Sequence, residues 1–424
     1  MPGQQASRPT ESVPPTELFA RTVAIDDPGT LAGWMPQDAT AAWIRRGDGM
    51  VGIGSVATFH PRDLADGEAW WTDFTTKVNF GDGPGPIAFG TFLFDPHNSR
   101  ARSTLVVPEL IIGRREGQGW LTLVSADPNA VPELPQRPSA PADPGQIAFA
   151  DGALSGLQWE HAVARAVDLI RAAASGDSDG LDKVVLARDL IAGAEEPIDA
   201  RWLISALARD YQRCWTYAID GLVGSTPEML IRREGGLATS RVLAGTIRRS
   251  GNDAHDLALA AALSQSSKDL EEHEYAVRSV AEQLAPFCLG MNVPDAPYVL
   301  ELPNVLHLAT DVTAVAHPDV TALSMAGALH PSAAICGTPT ERARRVIAEL
   351  EEMDRERYSG PIGWVDANGD GEWGIALRCG QLDADDRHQI RLFAGCGIVA
   401  GSDPVAELAE SNAKLVPMRD ALSG

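Results

Sequence analysis

Strand signals in this chain lie beside other strand signals, and helix signals come in separate long stretches. That ordering restricts the available folds more than any other feature. YAIDGLVGSTPEMLIRREGGLATS (217–240) reads as paired strands turning at Gly235 and Gly236, and GPIGWVDANGDGEWGIALRC (360–379) as a hairpin turning near Asn368 and Gly369. Upstream, WIRRGDGMVGIGSVATF (43–59) and PGPIAFGTFLFDP (84–96) are β-rich with glycines at bends, and KVVLARDLIAG (183–193) opens as a β-branched strand. Helical spacing of apolar residues marks 156–176, closing on Gly176, and long helical stretches follow at 255–287, 340–355 and 404–422. Hairpins and helices in blocks predict an α+β fold with antiparallel sheets and disfavour a Rossmann βαβ repeat.

Six prolines fall in PNAVPELPQRPSAPADP (128–144), which can continue neither a helix nor a central strand and must be an exposed connection. No internal repeat of 20 to 50 residues is visible. With 44% hydrophobic and 22% charged residues, the chain is long and apolar enough to bury a large core. Its net charge of −23 repels nucleic acid and anionic membrane, both of which are bound chiefly through Lys and Arg. An anionic small substrate remains open if local basic residues or a divalent cation reverse the sign inside a cleft. Five scattered cysteines without a CxxC pair suit a reducing cytoplasm, and the first residues lack the basic and apolar regions of a signal peptide. Residues 1–20 are expected to be a disordered leader.

The last helix carries the clearest constellation. Asp403 as N-cap and Pro404 as first helical residue fix a register in which Glu407, Glu410 and Lys414 project from one face. Two readings stay open: a solvated face with a Glu410–Lys414 ion pair, or a hard-cation site built on two carboxylates. SSKDLEEHEYAV (266–277) offers Glu271, Glu272 and His273 on a second acidic helix, and Glu272 facing Glu410 would complete such a site. LFAGCGIVAGSDP runs into the last helix, and the missing side chains at Gly395 and Gly397 let backbone N–H groups approach a carboxylate, although tight turns use glycine too. DANGDGEWG places Asp366, Asn368, Asp370 and Gly371 at calcium-loop positions, but the position that requires a bidentate Glu is Leu377, so a β-turn is expected there. His317 and His330 are too far apart for a helical metal pair and read as structural. Lys183 taken alone reads as a strand-end surface lysine.

Nine segments in order resemble the chorismate-utilising enzymes, the family of isochorismate, salicylate, anthranilate and aminodeoxychorismate synthases. They are KVVLARDL, GSTPEML, SRVLAGTIRR, SSKDLEEHEYAV, LPNVLHLATDV, LHPSAAICGTP, RYSGPIGWVDANGDG, ALRCGQL and AGCGIVAGSDPVAELAESNAKL. The resemblance is strong from about 180 onward and faint before 150. It implies one large α+β domain over 21–424, of mainly antiparallel sheets flanked by helices, like anthranilate synthase component I. The 21–150 part is less recognisable, and 151–424 carries the core motifs.

By position, the resemblance implies that Lys183 is the base that activates water for attack at C2 of chorismate, and Glu228 the acid that protonates the departing C4 hydroxyl. It implies Glu272, Glu407 and Glu410 as Mg²⁺ ligands. Tyr358, Arg378, Lys414 and the backbone at Gly395 and Gly397 would hold the substrate carboxylates, with Gly245, Thr246 and His307 lining the same pocket. For this chemistry Lys183 must present a neutral amine and Glu228 a protonated carboxyl.

Within the family, Ala244 stands where the aminodeoxychorismate branch often has a nucleophilic lysine, so water or ammonia must attack. No glutamine amidotransferase segment is present, and no obligate amidotransferase partner is expected. LHPSAAICGTP resembles isochorismate synthases, and the apolar pair Ala334 and Ile335 favours stopping at isochorismate. A salicylate synthase, an anthranilate synthase component I and a catalytically silent chorismate- and Mg²⁺-binding protein are the alternatives. A monomer or homodimer is expected, and menaquinone, siderophore and salicylate synthesis all stay open as destinations.

Overall fold

Two large sheets, one of 13 strands and one of ten among the described residues, are built from segments on both sides of the Pro-rich connection. The computed structural model describes residues 17–37, 41–81, 83–174, 180–303 and 305–424, apart from the side chains of Ala174, Lys268 and Glu272. The first sheet runs Ile147–Asp151, Lys183–Ala194, Gln389–Ile398, Cys379–Leu382, Leu222–Thr226, Trp215–Ile219 and Ala41–Arg45, then continues through strands of the N-terminal part. The second runs Cys288–Asn292, Val305–Ala316, Leu237–Arg248, Met229–Glu234, Gly371–Ile375, Pro361–Asp366, Ile87–Thr91, Thr104–Val107 and Ala57–Phe59. Leu18–Ile25 pairs in parallel with Val78–Phe80, whereas the ladders joining the strands of the sequence motifs are antiparallel.

The sheets pack face to face over a core in which Trp43, Tyr217 and Phe393 from the first meet Phe89, Met229 and Ile362 from the second. Helices cover their outer faces: α1 (Leu64–Thr75), α2 (Gly156–Ala174), α3 (Ala200–Asp210), α4 (Asp253–Gln265), α5 (Ser267–Leu284), α6 (Ala322–Leu329), α7 (Thr340–Leu350) and α8 (Pro404–Ser423). Side chains of α3 and α8 pack on the first sheet, and those of α5 and α6 on the second. Inner strands such as Trp215–Ile219 and Leu222–Thr226 are therefore buried on both faces and lack the polar alternation of a half-exposed sheet.

Several boundaries differ from the sequence expectation. The strand Leu18–Ile25 begins inside the expected 1–20 leader, because Leu18 is buried in the core, while residues 1–16 lie outside the description. The 255–287 stretch is two helices rather than one. Ser266 ends α4 and caps α5, its side chain accepting from the Asp269 N–H. α7 stops at Leu350 and the expected extension to 355 is irregular, with Glu352 at φ 52°. Gly176, the expected end of α2, lies outside the described residues.

DANGDG is a strand-connecting turn. The Asp366 carboxylate accepts from the backbone of Asn368 and Asp370, and Arg233 neutralises Asp370. His330 packs edge-on against Phe94 and bonds to its carbonyl. No helix among the described residues is long and apolar enough to cross a membrane.

Candidate active site

The chain crosses from the first sheet to the second between Thr226 and Met229, and returns between Ile375 and Cys379. These crossings bond to each other: the Ser225 N–H donates to the Arg378 carbonyl at 3.2 Å and the Ile375 N–H to the Glu228 carbonyl at 3.2 Å. Glu228 and Arg378 are thus held side by side where the sheets part. Arg378 takes φ 50°, a left-handed conformation uncommon for a residue with a side chain.

The crossings border a cavity of about 290 Å³. Lys183, Glu228, Gly245, Thr246, His307, Tyr358, Arg378, Gly395, Gly397, Glu407, Glu410 and Lys414 all line it. Every side chain expected at the site is there except that of Glu272, which lies outside the described residues; its backbone is in α5, one turn beyond Asp269, and Asp269 lines the cavity. Lys183 heads the strand Lys183–Ala194, and alternation puts Val185 on the same wall.

Gly395 and Gly397 lie opposite Ala187 and Val185 in the neighbouring strand. Val185 and Ala187 send their N–H groups to Cys336 and Glu351 instead, so these are non-hydrogen-bonded pairs. The polar backbone of both glycines therefore faces away from that strand, and the Lys414 ammonium donates to the Gly395 carbonyl at 2.9 Å on that side. A Cβ at Gly397 would come within 2.9 Å of Lys183 Cε, so the bare backbone leaves room for the lysine. Gly245 sits in a bulge at φ 80°, with Asp269 Cβ 3.3 Å from where its own Cβ would be.

Charge in the cavity is sorted by environment. Burial raises the Glu228 carboxyl to about 7 against the opposing pull of Lys183, Lys414 and Arg378, so the acid keeps its proton near neutrality. Burial pushes His307 down to about 3 and leaves it neutral. Thr246 Oγ1 and His307 Nδ1 share a 2.9 Å hydrogen bond, and His307 Nε2 is buried with no partner among the described residues. Burial opposes the Lys414 charge, but the Glu410 carboxylate beside it holds the proton on. Glu410 pairs with Lys414 at 2.7 Å, so the intrahelical ion pair forms and still faces the cavity. Tyr358 stacks on Phe393 with ring centroids 5.1 Å apart.

Glu407, Glu410 and Cys396 bring ligand atoms within 4.8 Å of one another. Burial raises both the Glu407 carboxyl and the Cys396 thiol. The thiol keeps its proton and points at the Glu407 carbonyl, which leaves the two carboxylates as the groups able to hold a cation. Two carboxylates on adjacent turns suit a hard, oxygen-seeking cation such as Mg²⁺.

Sequence reasoning missed Asp269, Ser359, Val185, Leu243 and Phe393 as lining residues. Asp269 lies three residues before Glu272 on one helix face, and Val185 two residues after Lys183 in a strand, so spacing could have found both. Ser359 takes φ 64° in a turn that no local pattern announces.

A family model described as "Chorismate binding enzyme" matches residues 43–423. The isochorismate synthase DhbC of Bacillus subtilis is 40% identical over 258 residues, 58% of this chain and 64% of that protein, so the match spans less than two thirds of that relative. The isochorismate synthase MenF of Bacillus subtilis is 32% identical over 369 residues, 80% of this chain and 75% of that protein. Among solved structures, the menaquinone-specific isochorismate synthase MenF from Escherichia coli superposes with a TM-score of 0.79 at 24% identity, covering 99% of this chain and 97% of that one. Anthranilate synthase component I from Streptococcus pneumoniae shares the fold at a TM-score of 0.66 and 19% identity, covering 97% of this chain and 94% of the other. The expected α+β architecture is therefore the observed one, and with the family model matching residues 43–423 the chain belongs to the chorismate binding enzyme family.

Proposed function

We propose that this chain is an isochorismate synthase, converting chorismate reversibly into isochorismate. The observation that carries the reading is the pairing, across one cavity, of Lys183 with a Glu228 whose carboxyl stays protonated up to about pH 7. The names of the relatives, isochorismate synthases, point the same way.

In the forward direction Lys183 takes a proton from water as the oxygen bonds to C2. Both ring double bonds shift, C1=C2 to C1=C6 and C5=C6 to C4=C5, the C4–O bond breaks, and Glu228 gives its proton to the departing hydroxide. One water enters and one leaves, so substrate and product are isomers. Arg378, Lys414, Tyr358 and the backbone at Gly395 and Gly397 hold the two carboxylates, which offsets the repulsion expected from a protein of net charge −23. Mg²⁺, held by Glu407 and Glu410 with Glu272, would supply further positive charge for the ring carboxylate. Because water rather than ammonia attacks, the reaction needs no amidotransferase. The five free thiols suit a reducing cytoplasm.

Incubating the purified protein with chorismate and Mg²⁺ and separating the products should yield isochorismate. Salicylate with pyruvate, or anthranilate on adding ammonia, would reject this branch in favour of another. Gly397→Ala should lower kcat by about 10- to 100-fold with an unchanged circular dichroism spectrum, because the new methyl displaces the Lys183 amine. Wild-type turnover in that variant would show that Lys183 does not act from this position.

A further inference from the structure

Among the described residues, the strand Lys183–Ala194 has no β-strand partner beside Val185 and Ala187 on the edge facing away from Gly395 and Gly397, and a loop carbonyl and three side chains take that place. The Val185 N–H donates to the Cys336 carbonyl at 2.8 Å, and the Trp159 indole donates to the Ala187 carbonyl at 3.0 Å. Between them lies a fully buried ion pair. Arg355 donates to the Val185 carbonyl at 2.6 Å, and the Ala187 N–H donates to Glu351 Oε1 at 2.7 Å. Glu351 grips the Arg355 guanidinium through two bonds, at 2.8 Å and 2.5 Å. The third arm of Arg355 donates to the Ile335 carbonyl at 2.9 Å.

Val185 and Ile335 both line the cavity, on two different segments, and Lys183 projects from the same strand face as Val185. One guanidinium therefore ties the strand that carries Lys183 to the apolar wall at Ala334 and Ile335. A buried ion pair is weak evidence for stability, since an apolar pair of similar volume often stabilises as well. Its hydrogen bonds to backbone at both sides of the cavity give it a different use.

We propose that Arg355, oriented by Glu351, is a positioning residue that sets the distance between the Lys183 amine and the wall against which the substrate ring rests. This rests on the proposed reaction. Arg355 is not among the residues that line the cavity and acts through the backbone of Val185 and Ile335. Loss of the pair should then reduce kcat while leaving KM almost unchanged, because Arg378 and Lys414 hold the substrate from other segments.

The test compares the wild-type protein with Glu351→Leu/Arg355→Met, which removes both charges together and leaves no lone buried ion, and with Arg355→Lys. Arg355→Lys keeps the charge but cannot span both carbonyls. Each is assayed with chorismate and Mg²⁺ for kcat, KM and melting temperature. Positioning predicts that the apolar pair still folds, at a melting temperature lowered because the Ala187 N–H and the Val185 and Ile335 carbonyls lose their partners, and has kcat lower by about 10- to 100-fold, with KM within about threefold. Arg355→Lys should recover part of that loss. A folded apolar pair with wild-type kcat would overturn the proposal, as would a KM change as large as the kcat change. Should the apolar pair not fold, wild-type kcat in Arg355→Lys overturns it equally. If the wild-type protein makes another chorismate product, the reaction assignment falls and the same ratios, read on that product, still decide the role of Arg355. If it turns over no chorismate, both fall.

Discussion

Glu228→Gln should lower kcat for chorismate conversion by about 10²- to 10⁴-fold, the usual worth of a positioned general acid, with little change in KM. Glutamine keeps the volume and can still donate a hydrogen bond, but it has no proton to transfer to the departing oxygen. Lys183→Ala should cost a similar factor from the other side of the reaction, since Lys414, which lines the same cavity, holds its proton and cannot replace the amine. Glu228 also sets a pH dependence. Its carboxyl is raised to about 7 by burial, so the required proton is present below that value and lost above it. The kcat/KM of the wild-type protein should therefore fall as pH rises through about 7, and the residual rate of Glu228→Gln should lack that limb. Full turnover in either variant, measured on protein with a native spectrum, would remove the assigned acid or base.

Removing divalent cations should have an effect of comparable size. Dialysis against a chelator should lower turnover by about 10²-fold or more, because several kcal/mol of charge stabilisation would leave the site. Adding Mg²⁺ should restore it. Glu407 and Glu410 share one face of α8 with ligand atoms within 4.8 Å, and burial with mutual repulsion raises the Glu407 carboxyl, so the pair gains from a cation between them. Glu407→Gln should then raise the Mg²⁺ concentration needed for half-maximal activity, by about 10- to 100-fold. Turnover unaffected by chelation would show that the carboxylates serve a different purpose.

Much of this was legible locally. Asp403 and Pro404 fixed the register of α8, and the structure has Asp403 capping the helix and Glu407, Glu410 and Lys414 at the cavity. The turns at Gly235–Gly236 and Asn368–Gly369 are where glycine and asparagine put them. The Ser266 break between α4 and α5 was also readable, because a serine followed three residues later by an acid is a cap signature.

The pairing of distant strands was not. Ala41–Arg45 lies against Trp215–Ile219, and Ile87–Thr91 against Pro361–Asp366, although nothing in either segment names its partner. Burial on both faces also erased the period-two pattern that marks a half-exposed strand, as in Ile87–Thr91. Residues placed by crossings between sheets, Glu228 and Arg378, carry no periodic signal, and only the family motifs pointed to them. Ser359 and the Glu351–Arg355 pair depend on a turn after α7, where helical periodicity was read as continuing.

The central claim is that solvent water, activated by Lys183, becomes the C2 hydroxyl as the C4 oxygen departs. Running the reaction in H₂¹⁸O and locating the label by mass spectrometry tests it most directly. The account predicts isochorismate carrying one ¹⁸O, at C2. Isochorismate that retains only the original oxygen would mean that the hydroxyl migrates within the substrate, and would contradict it.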